Sequence, residues 1–279
     1  MVHRSLTFYW PSYLKTAWHF RNGLGLAWNH YWRRDSKRAV LWNGRTIRMP
    51  PGRTGLVETI VEMWGSEVYT PHDFYWPKNR DVIIDLGANV GAFCLWLAGE
   101  APDVRIVAVE PSAENFAVLS ENLRGASAHI SLHQCAVGGH AGHARIIDGG
   151  ARSIDHRLST VSDVSSAGDD VDVVTLEQLL DTVGVDEVDL LKMDIEGAEH
   201  DVFLTVTPAL LRRFRNVALE YHDNLRPGTL ALIRQRLEAT HEIVSTDGTP
   251  EGYGIVRARR RRTAPEAVPL PRVNAPALT

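Results

Sequence analysis

The segment at residues 82–91, VIIDLGANVG, constrains the fold of this chain more than any other feature. Its first four residues form an apolar run that ends in an acid, and a glycine-bearing turn follows at once. From 93 to 99 the sequence is apolar with helical spacing. Continuously apolar strands are typical of parallel sheets buried on both faces. The segment therefore predicts a buried strand, a tight turn and a helix within a parallel α/β sheet.

The same alternation continues along the chain. Upstream, short strands are expected around the turns at 43–44 and 50–52, with a helix at about 55–64. Further strands are predicted at 105–110, 130–137, 144–147, 171–174, 188–193 and 216–220, with a hairpin of 241–246 and 253–258. Helices are predicted at 112–124, 176–183, 197–206 and 227–239, and a loop at 149–170. This order predicts a doubly wound α/β sheet whose ligand lies at the carboxyl edge of the strands.

Residues 1–40 are unusually dense in aromatic side chains. The spacing of Trp10, Leu14, Ala17 and Trp18 places apolar side chains on one face of a helix. We expect residues 1–40 to form a helical arm that packs on a main domain at 41–262, or across a homodimer. A cap over a substrate pocket and a helix resting on a membrane surface are the alternatives. The Pro- and Ala-rich residues 263–279 are predicted to be a disordered tail.

Composition narrows the classes of protein. The formal net charge of -4 gives no overall attraction to nucleic acid or to acidic membranes, and no apolar run approaches the ~20 residues of a membrane span. Cys94 and Cys135 lie outside any metal-binding pattern and are expected to be small core residues. No signal peptide is evident, so we expect a cytoplasmic protein without a membrane span or a nucleic-acid partner. The arginine-rich run at 257–262 is interpreted as a solvated strand end, and a patch for a phosphorylated or acidic partner is the alternative.

The turn after the first strand indicates the cofactor. Asn89 occupies the second glycine position of the dinucleotide fingerprint, and no glycine follows Gly91 at the third position. Asp85, placed before Gly87, would repel a pyrophosphate but would favour an ammonium and a sulfonium. This difference favours S-adenosylmethionine over a dinucleotide. Glu110 ends the second strand, where an acid can accept hydrogen bonds from both ribose hydroxyls.

Two later strand ends carry the candidate chemistry. The segment KMDIEGAE at 192–199 places Asp194, Glu196 and Glu199 where a strand enters a helix, although Asp194 could cap that helix and Glu199 could favour its first turn. Glu220 and His222 end the next strand, and their period-two spacing points them to the same side. His222 could take a proton from a substrate hydroxyl, or it could be an ordinary surface or core histidine. Asp194, Glu220 and His222 could also hold a divalent metal such as Mg²⁺.

With these residues assembled, the chain resembles the FkbM family of methyltransferases. The resemblance is carried by 85–91, 109–111 (VEP), 192–199 and 219–222 (LEYH), in that order, and it covers about 60–257. It implies a Rossmann-like seven-stranded methyltransferase fold, to which residues 1–40 would add a helical, aromatic extension. It also implies methyl transfer from S-adenosylmethionine to an oxygen of sugars or polyketide-type natural products. The segment GSEVY at 65–69 resembles the family's sequence before the first strand, which implies that Tyr69 lies over the cofactor.

The sequence thus predicts an S-adenosylmethionine-dependent O-methyltransferase for a small-molecule or glycosylated acceptor. The predicted cofactor ligands are Tyr69, Asp85, Gly87, Asn89, Gly91, Glu110 and Asp194; the predicted catalytic residues are Asp194, Glu220 and His222. A dinucleotide-dependent oxidoreductase and a non-catalytic nucleoside-binding scaffold are the alternatives. The sequence specifies the type of reaction more closely than it specifies the acceptor molecule.

Overall fold

Nine helices and thirteen strands are found among the described residues of the computed structural model, which are 6–32, 34–147, 157–158 and 168–262. The helices are α1 (Leu6–Ala17), α2 (Gly23–Tyr31), α3 (Leu56–Ile60), which continues into a π-helical turn (Val61–Gly65), α4 (Ala92–Glu100), α5 (Ala113–Leu123), α6 (Leu176–Val183), α7 (Glu199–Thr205), α8 (Pro208–Leu211) and α9 (Thr229–Glu238). The strands are β1 (Arg38–Val40), β2 (Thr46–Arg48), β3 (Val82–Leu86), β4 (Arg105–Val109), β5 (His129–His133), β6 (Ala136–Val137), β7 (Gly142–Ile147), β8 (Arg157–Leu158), β9 (Gly168–Val174), β10 (Val188–Met193), β11 (Phe214–His222), β12 (His241–Gly248) and β13 (Tyr253–Arg260).

The central sheet has seven strands in the order β12-β13-β11-β10-β3-β4-β5. The five strands from β11 to β5 are mutually parallel, and β13 pairs antiparallel with both β11 and β12. The chain runs outward from β3 through β4 to β5 and later returns to β10 on the other side of β3. The strand order therefore reverses between β3 and β10, and a crevice opens beyond the carboxyl ends of these two strands.

Helices cover both faces of this sheet, as the doubly wound prediction requires. Successive side chains of β3 point to opposite faces. Ile83 packs in a core with residues of α3, α4 and α5, whereas Ile84 packs in a second core with residues of α6, α7 and α9. Ser112 caps α5 by accepting a hydrogen bond from the Asn115 amide, as its sequence position predicts.

The connection from β5 to β10 departs from the predicted pattern. The sequence predicted one strand at 130–137, but the chain divides it into β5 and β6, and β6 joins a separate four-stranded sheet of order β6-β9-β7-β8. The predicted loop at 149–170 contains β8 and the start of β9, and its remaining residues up to 167 lie outside the described residues. Because of Asp169 and Asp170, the first residues of β9 have the composition of a loop, and the predicted strand began only at 171. Both are exposed, so the strand accommodates them without burying charge.

The N-terminal region is helical, as predicted, but a different helix face is buried. Leu14 and Trp18, predicted to share the packing face, are 44% and 82% exposed. Thr16 and Phe20 are buried instead, and the Phe20 ring meets the Trp64 ring edge-on at 5.2 Å. The predicted tail at 263–279 lies outside the described residues. None of the described helices is both long and apolar enough to span a bilayer.

The arginine run at 257–262 is partly structural, so its interpretation as a solvated strand end was wrong at Arg257. That side chain is only 7% exposed, and it donates hydrogen bonds to the Val68 carbonyl and, at 2.8 Å, to Ser245 Oγ. Arg260 pairs with Glu187 at 2.6 Å. The Val68 contact attaches the last strand to the segment that precedes β3, and the Glu187 pair attaches it to the turn before β10.

Candidate active site

The glycine turn between β3 and α4 lies at the reversal point of the sheet. The amides of Gly87 and Ala88 both donate to the Val109 carbonyl, at 3.0 and 2.9 Å. The end of β4 therefore holds the turn in place. Residues 92–94 follow as the first turn of α4, whose free amides favour an anionic group such as a carboxylate.

Glycine at position 87 is required by a close internal approach. Its φ is +76°, and a Cβ there would lie 1.8 Å from the Asp194 carbonyl oxygen. At Gly91 a Cβ would lie 2.7 Å from a methyl group of Leu119 in α5. The first contact places the turn directly against the end of β10, so Asp194 borders the predicted cofactor loop.

The structure gives Asp85 protein partners of its own. Asp85 is fully buried, and its Oδ1 lies 3.0 Å from the Nζ of Lys192, its register partner on β10. The Cys94 thiol donates to Oδ2 at 3.3 Å, and Lys192 also donates to the Gly87 carbonyl at 2.8 Å. Burial alone would lower the pKa of Lys192, but the charges of Asp85 and Asp194 and the hydrogen bond to Asp85 together outweigh it, and the pKa is raised. Lys192, to which the sequence analysis gave no role, thus ties Asp85 to the glycine turn.

Glu110 braces the other side of the turn. One carboxylate oxygen accepts from the Asn89 amide at 2.8 Å, and the other accepts from the Ser112 amide at 2.9 Å. A carboxylate has about four acceptor positions, and these two amides occupy one on each oxygen. The ribose contact predicted for Glu110 stays a prediction.

Tyr69 lies beside the carboxylates at the ends of β10 and β11. Its hydroxyl donates to Asp194 Oδ2 at 2.9 Å and lies 3.4 Å from Glu220 Oε2. Burial, together with the charges of these two acids, raises the pKa of Tyr69 well above its usual value, so the phenol keeps its proton. The resemblance implied a place for Tyr69 near the cofactor, whereas the pattern of residues alone did not single it out.

His222 lies between two further acids. Its Nε2 is 3.4 Å from Glu196 Oε2, and its Nδ1 is 3.3 Å from Glu199 Oε1. Glu199 is fully buried and also accepts from the amides of Ile195 and Gly197, both at 2.8 Å. Glu199 therefore both stabilises the turn into α7 and orients the imidazole.

The protonation of this cluster differs from that of isolated side chains. Burial alone would lower the pKa of His222, but the hydrogen bond and charge of Glu199 and the charge of Glu196 raise it to about 10. Burial, followed by the charge of Asp194, raises the pKa of Glu196 to about 9 and that of Glu220 to about 8. His222 is therefore a proton donor near neutral pH, and Glu220 has a pKa closer to neutrality than His222 or Glu196.

The three predicted catalytic residues do come together. Asp194, Glu220 and His222 each offer an atom that lies within 4.8 Å of the others, a spacing compatible with a shared cation. Asp194 Oδ1 is buried and has no hydrogen-bond partner among the residues that the structure describes. The cluster is therefore suited to a positively charged group.

The sheet order and the glycine turn at its reversal point define a Rossmann-like fold of the methyltransferase class. The Methyltransferase FkbM domain matches residues 85–244, and the chain belongs to this family.

Individual proteins also resemble the chain. The 31-O-demethyl-FK506 methyltransferase FkbM of Streptomyces tacrolimicus is 30% identical over an alignment of 216 positions that covers 64% of this chain and 82% of that protein. Methyltransferase sdnD of Sordaria araneosa is 26% identical over an alignment of 230 positions that covers 70% of this chain and 88% of that protein. The AMB antimetabolite synthetase AmbE of Pseudomonas aeruginosa is 29% identical over 205 residues, and the chain covers 10% of its length. A crystal structure of methyltransferase FkbM from Methylobacillus flagellatus KT aligns with a TM-score of 0.47 and 16% identity, covering 89% of this chain and 58% of that one.

Proposed function

We propose that this chain is an S-adenosylmethionine-dependent O-methyltransferase that acts in the cytoplasm on a hydroxyl of a sugar or polyketide-type natural product, and not on nucleic acid. The observation that carries the proposal is the contact between the glycine turn and Asp194, which joins the predicted cofactor loop to the cluster of Tyr69, Glu220 and His222. The family relationship supports methyl transfer. The matched FkbM of Streptomyces tacrolimicus is named as an O-demethyl-FK506 methyltransferase, which supports an oxygen as the acceptor atom.

The residues present fit this cofactor. The unpartnered Asp194 Oδ1 suits a cationic group, and the first turn of α4 suits a carboxylate. Glu110, which follows β4 beside the glycine turn, would hold the ribose hydroxyls. When bound, S-adenosylmethionine supplies a methyl group made electrophilic by the attached sulfonium.

The chain's own residues would position the acceptor and receive its proton. Tyr69 donates a hydrogen bond to Asp194 and so fixes the position of its carboxylate. Glu199 pairs with His222 and fixes the position of the imidazole beside the other acids. We assign the proton acceptor to Glu220, because a carboxylate in this environment is a stronger base than a solvated one and still ionises near neutral pH. His222 would then act as a positioning residue. Much of the rate would come from holding the acceptor oxygen in line with the methyl group.

A divalent cation at Asp194, Glu220 and His222 is a separate proposal, supported by their mutual spacing. An ion there would lower the pKa of a bound hydroxyl and so replace the carboxylate base. Activity that is lost in EDTA and restored by added Mg²⁺ would favour this arrangement. Full activity in EDTA would exclude the metal and leave the Glu220 carboxylate as the proton acceptor.

Binding is the first test of the proposed function. Isothermal titration calorimetry should show that S-adenosylmethionine and S-adenosylhomocysteine bind the folded protein. If neither ligand gives a heat of binding, the proposal is refuted. A panel of hydroxylated sugars and polyketides, followed by mass spectrometry, should then detect the gain of one CH₂ unit. A gain seen only with amine analogues would contradict oxygen specificity.

The two alternative functions are distinguished by further measurements. A change in NADH fluorescence on mixing would support an oxidoreductase. A non-catalytic scaffold would bind S-adenosylhomocysteine but methylate no acceptor, whereas turnover that Asp194→Asn or Glu220→Gln lowers while the cofactor still binds would exclude it.

A further inference from the structure

The N-terminal arm carries most of the large hydrophobic side chains that are exposed among the described residues. Ten large hydrophobic side chains are exposed among the described residues, and all but Leu204, Leu225 and Val244 lie between positions 14 and 42. Six of these define the arm surface: Trp18, Leu24, Trp28, Tyr31, Trp32 and Trp42. Scattered exposed apolar side chains need no explanation, but a concentration of this kind indicates an interaction site.

Helix α2 presents part of this surface as one continuous strip. Leu24, Trp28 and Tyr31 are spaced four and three residues apart, so they share one face, and Leu24 and Trp28 are 80% and 60% exposed. The Trp32 ring contacts the rings of Trp28 and Tyr31 at 5.8 and 5.2 Å between centroids. The opposite face of α2 is buried through Gly23 and Leu26. The helix is therefore apolar on both faces, and its own chain covers one of them.

The rest of the arm surface is tied by hydrogen bonds to neighbouring segments of the arm. The indole of Trp42 donates to the Trp18 carbonyl at 2.6 Å, and Arg21 donates to the Trp42 carbonyl at 2.7 Å. Asn22, at the start of α2, hydrogen-bonds to the backbone of Arg38 and Val40 in β1. The surface is thus presented on a fixed element, and its exposure does not come from a frayed helix.

Charge separates this region from the remainder of the chain. Residues 1–55 contain ten Lys or Arg and one acid, Asp35, a balance of +9. Because the whole chain carries -4, the remaining residues carry -13. In the sequence just after α2, Arg34, Lys37 and Arg38 are exposed, and Lys37 pairs with Asp35 at 2.9 Å. Exposed tryptophans flanked by basic side chains match the chemistry of a bilayer interface with anionic headgroups.

We propose that the arm surface binds a bilayer of anionic lipids, with the α2 strip among the headgroups and the acidic body of the protein turned away. A symmetric dimer through the same surface would bring two strongly basic patches together, which charge repulsion opposes. Single-stranded nucleic acid binds on aromatic faces left open for stacking. Here Trp32 meets Trp28 and Tyr31 at 63° and 89°, so the rings pack edge-on against each other.

Vesicle binding tests this proposal with the whole chain. Large unilamellar vesicles of phosphatidylcholine alone are compared with vesicles that also contain phosphatidylglycerol, by co-sedimentation and by quenching of tryptophan fluorescence with brominated lipid. We expect binding and quenching with the anionic vesicles only, reduced by high salt. The Trp28→Ser, Trp32→Ser variant should bind at least about tenfold more weakly. The Arg34→Ser, Arg38→Ser variant should bind about 25-fold more weakly, since each basic residue near an anionic surface contributes about a fivefold change.

Matched controls replace exposed side chains outside the arm. Leu204→Ser with Val244→Ser controls for lost apolar surface, and Lys78→Ser with Arg234→Ser controls for lost charge; both should bind like the unmodified protein. Circular dichroism checks that every variant is folded. Equal binding to both vesicle types, no binding to either, or arm variants no weaker than their controls would overturn the proposal. So would a dimer that the tryptophan variant abolishes, or an RNA oligonucleotide that binds more tightly than the vesicles.

Discussion

Removing the ammonium group of Lys192 should separate a structural role of Asp85 from a role in binding the cofactor. The Nζ of Lys192 lies 3.0 Å from Asp85 Oδ1, and the two residues are 4% and 0% exposed. In Lys192→Met the Asp85 carboxylate would remain buried without its cation. The Gly87 carbonyl would also lose a charged donor at 2.8 Å.

The size of the effect follows from this burial. Breaking a buried ion pair by removing one partner typically costs about 3–5 kcal/mol. We therefore expect Lys192→Met to lower the free energy of unfolding by about 3–5 kcal/mol, and the midpoint of thermal unfolding by on the order of 10 °C.

A double-mutant cycle supplies the control. Asp85→Asn with Lys192→Met removes both charges, so it should be at least about 2 kcal/mol more stable than the sum of the two single changes predicts. Urea unfolding followed by circular dichroism measures all four proteins. S-adenosylhomocysteine affinity is then compared under conditions where each protein is folded. Strict additivity, or Lys192→Met within about 0.5 kcal/mol of the unmodified protein, would refute the reasoning. If Asp85→Asn lost cofactor binding but kept its stability, Asp85 would instead bind the cofactor directly, as the sequence predicted.

Three further predictions follow from single residues. Gly87→Ala should destabilise the protein by several kcal/mol more than Gly44→Ala does in urea unfolding, because both have positive φ but only the first Cβ would collide, at 1.8 Å from the Asp194 carbonyl. Burial lowers the pKa of His241, so stability should be full above about pH 6.5 and fall as the pH drops below it, by at most about 1.4 kcal/mol per pH unit. His241→Gln should remove that part of the pH dependence, and an unchanged dependence would contradict it. Turnover should rise as the pH increases towards the Glu220 pKa of about 8, and Glu220→Gln should lower it at least about 100-fold while S-adenosylhomocysteine still binds.

The main sheet was predictable from the sequence because its strands are buried on both faces. The apolar runs at 188–193 and 82–85 match β10 fully and β3 to within one residue. In the second sheet, the strands predicted at 144–147 and 171–174 match most of β7 and β9, but the start of β9 was missed because it opens with Gly168 followed by two exposed acids. Periodicity detects burial on the faces of a strand, so it fails where a strand meets solvent.

Only the part of the candidate site that is built from residues at strand ends was predictable from the sequence. Asp194, Glu220 and His222 come together because their parallel strands end at the same edge of the sheet. The pairing of Asp85 with Lys192 depends on strand register, which the apolar pattern does not specify between two uniformly buried strands. The contact of Glu196 with His222 depends on a local turn, in which Glu196 adopts a φ of 52° that sequence spacing does not reveal.

Protonation also provides a way to decide whether a metal occupies this site. His222 and Glu220 have pKa values of about 10 and about 8, so both side chains are protonated in most molecules at pH 7. A divalent cation bound to Asp194, Glu220 and His222 needs the neutral imidazole and the free carboxylate, so its binding must release close to two protons. Calorimetric titration of Mg²⁺ in buffers of different ionisation enthalpy measures that number, and the affinity should increase with pH. Binding without proton release would place the ion elsewhere, and the acids at the ends of β10 and β11 would then be left to serve the sulfonium and the acceptor hydroxyl alone.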